Sequence, residues 1–571
     1  MKNKSPKNRR ARPWERPHAI FLAVLLFLLL FFYIPVGHVF IKAFVRDGSF
    51  APGIFFETLI SPYTARLVGF TFLQAALSTL FSLLLGLPGA YIITKFRFPG
   101  RSIVRSASAV PFVLPPILVV LGFVIFFGNN GFLNRALMSL FDLSAPPLRI
   151  LYSLKAIILA HGFYNFPIAL RVVSSLWQSL PPTQEWAAST LGARGGRLFR
   201  TITLPQLLPS VYAAAALIFM FCFTSFAVIL VLGGGPSLST VEVEIYRLAR
   251  ISFDLHTAAA LSIIALLFTL AVMYIYVRLQ SSSSYYQAVS RKTDYSRTIL
   301  RRPGKVAAWA MGLYAAGTLT VIAGPLVAII LNSLRKPLSW SGDTVFTLQW
   351  YRQILGIGEG SAGGRFSRIA VEAVSNSAAI GVLATAVAVP VGVALSYYTV
   401  RYSTGSRKIV DTLTMAPMTT SSVVLGLGYL LISRTFSPPS SLSPLFIVGA
   451  HAVISYPFVV RTVSSVLRKI SPSQRYAAML LGSPPGRVFR TIELPLIAPA
   501  IFAGAAFTFG ISLGEMNATI VFSSSTTTIP VAIYRLIGSY NFFGACALGT
   551  ILILVSLGAF LLLDSYSETE W

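Results

Sequence analysis

The chain has 571 residues, of which 55% are hydrophobic and only 11% charged, with a formal net charge of +28. That balance excludes an ordinary soluble domain and a disordered chain. It also excludes nucleic-acid binding as the reason for the charge, because the basic residues stand in short clusters between apolar runs, where they act as topology signals.

Taken in order, the chain opens on a basic segment, 1–18, with seven Lys and Arg between Lys2 and Arg16. The apolar run Ala19–Phe40 follows. It is long enough to cross a bilayer and lacks a small-residue cleavage site, so a retained anchor helix is expected. Further runs place spans two to six near 66–94, 106–128, 150–175, 206–232 and 257–278, the first being 19–45. A polar, Ser-rich, basic stretch over 281–305 reads as a linker. Spans seven to twelve lie near 306–332, 370–400, 409–433, 443–467, 496–522 and 543–563, before a short tail at 565–571. Prolines inside spans, such as Pro88 and Pro390, are tolerated in membrane helices. With both termini inside, the cytoplasmic segments hold 31 of the 46 Lys and Arg, which favours that orientation. Cys222 and Cys546 lie in or beside spans, and the five histidines have no ligand spacing. Neither a disulfide framework nor a metal site is expected.

The two halves repeat. Without gaps, His161–Ser210 and His451–Ala500 share 21 of 50 residues at an offset of 290. Upstream, Gly86, Tyr91, Pro111 and Gly122 match Gly392, Tyr397, Pro417 and Gly428 at an offset of 306. Six spans per half is an even number, so the halves face the same way and a pseudo-twofold axis runs along the membrane normal. A pathway between the halves is expected.

The strongest match is a loop. "EWAASTLGARGGRLFRTITLP" (Glu185–Pro205) returns as "RYAAMLLGSPPGRVFRTIELP" (Arg475–Pro495). Ala187, Ala188 and Leu191 share one face of a short helix. Gly192 can close that helix in the left-handed region. Arg194, Arg197 and Arg200 then stand on one side, and Pro205 opens the next span. The second copy supplies Ala477, Ala478, Gly482, Arg487, Leu494 and Pro495. Two such loops on one face suit a partner with two equivalent grooves, against the plainer reading of amphipathic surface elements.

The Ala-Ala, Gly, Ile-x-Leu-Pro pattern resembles the "EAA" loop of ABC-importer permeases, and most of the length resembles the fused permeases of the thiamine and ferric-iron group. The resemblance implies an all-α integral membrane protein with twelve transmembrane helices in two parallel six-helix repeats, the type I importer, MetI-like permease fold. The permease domains would be 19–280 (core 66–280) and 306–564 (core 370–564). In that family the loop holds a coupling helix that docks on the ATPase. The docking residues implied here are Ala187, Ala188, Gly192, Arg197, Leu204 and Pro205, with Ala477, Ala478, Gly482, Arg487, Leu494 and Pro495. The family's Glu is Trp186 in one copy and Tyr476 in the other. Glu185 lies one residue early, and Arg475 takes its place in the second copy. The chain has no G-x-x-x-x-G-K-[ST] phosphate loop, so no cofactor is expected on it. ATP and Mg²⁺ would belong to a separate ATP-binding subunit dimer. The other implied partner is an extracytoplasmic substrate-binding protein, and the implied place is the bacterial inner membrane.

For the small-molecule substrate, Ala215–Pro236, "STVEVEIYRL" (Ser239–Leu248), "AHGFYNFPIALR" (Ala160–Arg171) and "IGSY" (Ile537–Tyr540) look like the thiamine permease. "GEMNATIVF" (Gly514–Phe522) resembles the iron-type permeases instead. Candidate pathway residues are Glu515, Asn517, Phe223 and Ser225. A carboxylate within a span usually faces a cavity or a neighbouring helix, and an amide there often bonds between helices. Phe221, Phe223 and Phe226 could stack on a heterocycle or serve packing. His161 and His451, at equivalent places, could shuttle protons or bind metal, but more often such residues hydrogen-bond a neighbour. The Gly-rich Leu232–Thr240 is expected at the outer mouth, where the second half has Phe522–Pro530 instead. No catalytic constellation stands out, so an enzyme is not expected. An ion-coupled secondary transporter would not need the twin loop.

Overall fold

The computed structural model describes residues 17–98, 101, 114–289, 304–337, 344–357, 364–401, 412–523 and 525–568. Most of the basic segment and of the linker, the start of the third expected span with Pro111, and the end of the tail lie outside these residues.

Among the described residues, 11 helices are long and apolar enough to cross a membrane, or twelve when a pair bent by 98° at 420–421 counts as one span. The first half contains α1 (Phe21–Phe44), α2 (Pro62–Lys95), α3 (Pro116–Phe127), α4 (Leu154–Ser179), a short α5 (Thr183–Thr190) and α6 (Leu204–Phe223). Two short helices follow, α7 (Ala227–Leu232) and α8 (Val241–Arg247), and then α9 (Leu255–Val289). The second half runs through α10 (Lys305–Ser333), α11 (Arg365–Arg401), α12 (Ser422–Phe436), α13 (Ser443–Leu467) and the short α14 (Pro472–Leu480). It ends on α15 (Leu494–Gly514), α16 (Asn517–Phe522), α17 (Ile529–Gly538) and α18 (Phe542–Glu568). The all-α repeat expected from the sequence is present. Leu84, Trp309 and Leu313 expose large apolar surfaces on outward faces, as lipid contact requires.

The fifth and eleventh spans are shorter than the apolar runs imply. Each breaks, at 224–226 and 515–516, into a long helix and a short one. Hydropathy reads through such a break because both pieces are equally apolar. A π turn precedes a proline by two residues in three helices: Leu29–Tyr33 before Pro35, Phe199–Thr203 before Pro205 and Phe489–Glu493 before Pro495. Proline lacks an N–H and its ring crowds the carbonyl four residues back, which a wider turn accommodates. Pro205 and Pro495 therefore sit inside continuous helices, Gly195–Phe223 and Pro485–Gly514, rather than at their true starts.

Packing repeats with the sequence. Helix α2 lies along α4, and α11 along α13. At these contacts a Cβ on Gly86 would stand 2.6 Å from Ala169, and one on Gly392 2.6 Å from Val459. The opening span of each half crosses to the other half. Pro35 of α1 meets Gly428 of α12, and Pro325 of α10 meets Gly122 of α3, each close enough to exclude a Cβ. Tyr314 of α10 donates to the Leu85 carbonyl of α2 at 2.7 Å, and Phe21 stacks on Tyr398 at 3.9 Å. A two-stranded hairpin follows each opening span, Val45–Arg46 with Ser49–Phe50 and Arg335–Pro337 with Thr344–Phe346.

Candidate functional site

The twin loops form as a short helix, a glycine and a second short turn leading into a span. Helix α5 buries none of its side chains. Gly192 ends it at φ +86°, and Gly482 ends α14 at φ +83°. Neither glycine has another atom within 4 Å of an added Cβ, so the backbone angle alone calls for glycine. Leu191, Leu480 and Leu481 are almost wholly exposed. Ala187, Arg197, Pro205, Ala477, Arg487 and Pro495 are exposed as well, while Ala188, Ala478, Leu204 and Leu494 are half-buried.

The loops are fastened by different carboxylates. In the first half Glu185 of α5 accepts from Lys95 Nζ at 2.7 and 3.0 Å, and from Thr203 Oγ1 at 2.9 Å. In the second half Glu493 of the π turn stands 2.9 Å from Arg401. Lys95 and Arg401 correspond at the offset of 306, and Thr203 and Glu493 at 290. The anion has moved from the loop helix to the turn that follows it, and it meets the same cationic position. Arg475 occupies the place of Glu185.

A cavity of about 350 Å³ lies between the halves. One wall comes from His161, Tyr164 and Asn165 of α4, the α6–α7 break at Thr224–Phe226, and Thr269, Met273 and Tyr276 of α9. The other comes from the bend at 417–422, Ile454, Phe458 and Arg461 of α13, and Asn517. Its lining is aromatic, methionine and hydroxyl, with one charged residue, Arg461, among the described residues. Such a mixed surface suits a small, partly aromatic solute.

The expected pathway residues separate here. Ser225 and Asn517 line the cavity. Asn517 donates to Ser422 Oγ at 3.0 Å, which joins the α15–α16 break to the bend at α12. Phe221 and Phe226 line it too, whereas Phe223 packs on Phe72, 5.3 Å between ring centres, in a buried aromatic cluster. Glu515 corresponds to Ser225 at the offset of 290 but is not on the cavity wall. Its carboxylate accepts from the Ala518 amide at 2.9 Å and so closes the first turn of α16. Both span histidines are held on two sides. His161 bonds Ser78 (3.0 Å) and Ser225 (2.9 Å), and His451 bonds Ser512 (2.8 Å) and Thr519 (3.0 Å).

Sequence reasoning missed Glu242 and the two anchoring pairs. Glu242 is buried in α8, and Ser421, at the edge of the cavity, donates to it at 2.7 Å. A signal was available: "TVEVEIYRL" (Thr240–Leu248) matches "TIPVAIYRL" (Thr528–Leu536) at an offset of 288. Aligned so, two acids occur in one copy alone, Glu242 facing Pro530 and Glu244 facing Ala532.

A family profile described as "Binding-protein-dependent transport system inner membrane component" matches residues 80–284 and 388–567. The chain is 28% identical over 527 residues to the thiamine transport system permease protein ThiP of Brucella abortus strain 2308, covering 90% of each. It is 26% identical to the ThiP of Haemophilus influenzae, covering 97% of each. Among solved structures, a bacterial alginate ABC transporter in complex with an alginate-bound periplasmic protein matches at TM-score 0.39 and 19% identity, over 47% of this chain and 93% of that one.

Proposed function

The chain belongs to the family of binding-protein-dependent transport system inner membrane components, and from that premise we propose that it imports thiamine or a thiamine-like compound. It is the multi-pass permease of an ABC importer, not the ATPase. The observation that carries the substrate is the similarity to thiamine permeases along nine-tenths of the chain or more. The aromatic and hydroxyl lining of the central cavity agrees with a flat heterocyclic solute.

In this reading the two permease domains, 19–280 and 306–564, stand with both termini in the cytoplasm. A substrate-binding protein delivers thiamine on the outer face, near Leu232–Thr240 and Phe522–Pro530. An ATPase dimer on separate chains, with its ATP and Mg²⁺, docks on α5 and α14. Closure of that dimer draws the two loops together and tilts the halves, opening the cavity outward, and release returns it inward. The breaks at 224–226 and 515–516 let the long helices α6 and α15, which continue from the loops, move independently of α7 and α16.

The test is whole-cell uptake of labelled thiamine, with and without the gene, with labelled ferric iron alongside. Loss of thiamine uptake alone is expected. Loss of iron uptake alone would overturn the substrate and leave the importer reading standing, in line with the iron-type "GEMNATIVF".

A further inference from the structure

The charge balance of the cavity points to a residue that lies just behind its wall. Arg461 is exposed and is the one charged residue on that wall among the described residues. By itself it would repel a cation. Glu242 stands one hydrogen bond away, its Oε2 accepting from Ser421, which lines the cavity. Its Oε1 has no hydrogen-bond partner among the described residues, and the side chain is 1% exposed. Ser239 Oγ and Thr240 Oγ1, just before it, are buried and unpartnered as well. A buried carboxylate with an idle oxygen is costly unless it takes up a proton or a cation visits it.

The second half shows that the scaffold does not need this acid. Pro530 takes its place there, and Thr527 Oγ1 accepts from Arg535 at 3.0 Å. The anchors of the two segments are otherwise alike: the Val241 amide donates to Thr71 Oγ1 at 3.1 Å, and the Ile529 amide to Ser377 Oγ at 2.8 Å. The neighbouring Glu244 is neutralised by Arg247 at 2.5 Å, so it does not compete for a cation.

We propose that Glu242 determines specificity for a cationic substrate, its carboxylate supplying the negative charge of the cavity when the Ser421 hydroxyl turns aside. The inference rests on the thiamine reading, since the thiazolium ring of thiamine carries a fixed positive charge. The probes are labelled thiamine and its neutral thiophene isostere, bound at equilibrium to the purified permease–ATPase complex without binding protein. The wild type is expected to bind thiamine at least tenfold tighter than the isostere. E242Q should bring that ratio close to one while isostere binding holds, and E242D should preserve it. An unchanged ratio in E242Q, or an equal loss of both ligands, would overturn the proposal in favour of a structural role. If E242Q fails to reach the membrane, S421A is read instead, because it frees the carboxylate: a higher ratio supports the proposal and an unchanged one overturns it. A wild-type complex that binds neither probe, from cells that do import thiamine, also overturns it. Cells that do not import thiamine refute the substrate reading itself, and this proposal with it.

Discussion

The two copies of the repeated loop differ in how they are held. The first is tied by its own helix: Glu185 of α5 reaches Lys95 at the end of α2 while both groups keep some contact with solvent, at 24% and 16% exposure. The second is tied below its helix, where Glu493 and Arg401 are 0% and 9% exposed. Helix α14 has no such carboxylate and carries Arg475 instead. The repeat therefore keeps a charge at a place rather than a residue at a position. One helix is fixed directly to the membrane body. The other is joined to it through a buried turn, where Phe489 also packs edge-on against Tyr397 with 4.9 Å between ring centres.

Changes to what the loops share should have the largest effect. Replacing Gly192 and Gly482 together with valine forces β-branched residues to positive φ, at a cost of about 1–2 kcal/mol or more for each. Uptake below a tenth of wild type is expected, with normal abundance on membrane immunoblots. Asparagine at both sites, which tolerates that region, should keep most of the uptake. Normal uptake in the valine pair would remove the loops from the coupling mechanism.

The anchors come next. E493A leaves Arg401 buried and unpaired, so a loss of about 3–5 kcal/mol is expected, seen as a large fall in the thermal midpoint of the purified permease. E185A removes three hydrogen bonds from a wetter site and should cost about 2 kcal/mol. Equal shifts would mean that burial does not separate the two anchors. A transplant sharpens the same point: E185T/T203E puts the acid where the second half carries it. It should recover at least half of the thermal stability that E185A loses, and no recovery would show that Lys95 cannot reach the turn. R475A should have the smallest effect, within about 0.5 kcal/mol in thermal stability, because among the described residues Arg475 makes no ion pair like that of Glu185.

Much of this architecture was legible in the sequence. Apolar length located the spans, and the offsets of 290 and 306 paired the halves and predicted the left-handed glycines. The helix breaks were hidden because hydropathy is blind to backbone direction. The anchoring pairs were hidden because their partners are about 90 residues apart in sequence, Lys95 with Glu185 and Arg401 with Glu493. Of the pathway candidates, Ser225 and Asn517 reached the cavity while Phe223 and Glu515 did not. Residue chemistry alone does not say which side of a helix faces a cavity. Glu242 was overlooked because it lies in a short helix after a Gly-rich loop, where an acid reads as an ordinary polar residue. Only its pairing with Pro530 marks it as unusual.

The crossed opening spans carry a consequence for how the chain is made. The notch at Gly428 that receives Pro35 belongs to a segment synthesised nearly 400 residues later, and the notch at Gly122 waits about 200 residues for Pro325. During synthesis α1 enters the bilayer with its eventual partner not yet in existence. Its groove-facing side must be shielded meanwhile by lipid or by the insertion machinery. Joining both halves in one polypeptide turns this wait into a fixed schedule, with equal numbers of each half. A free first half would keep a helix whose seat never arrives.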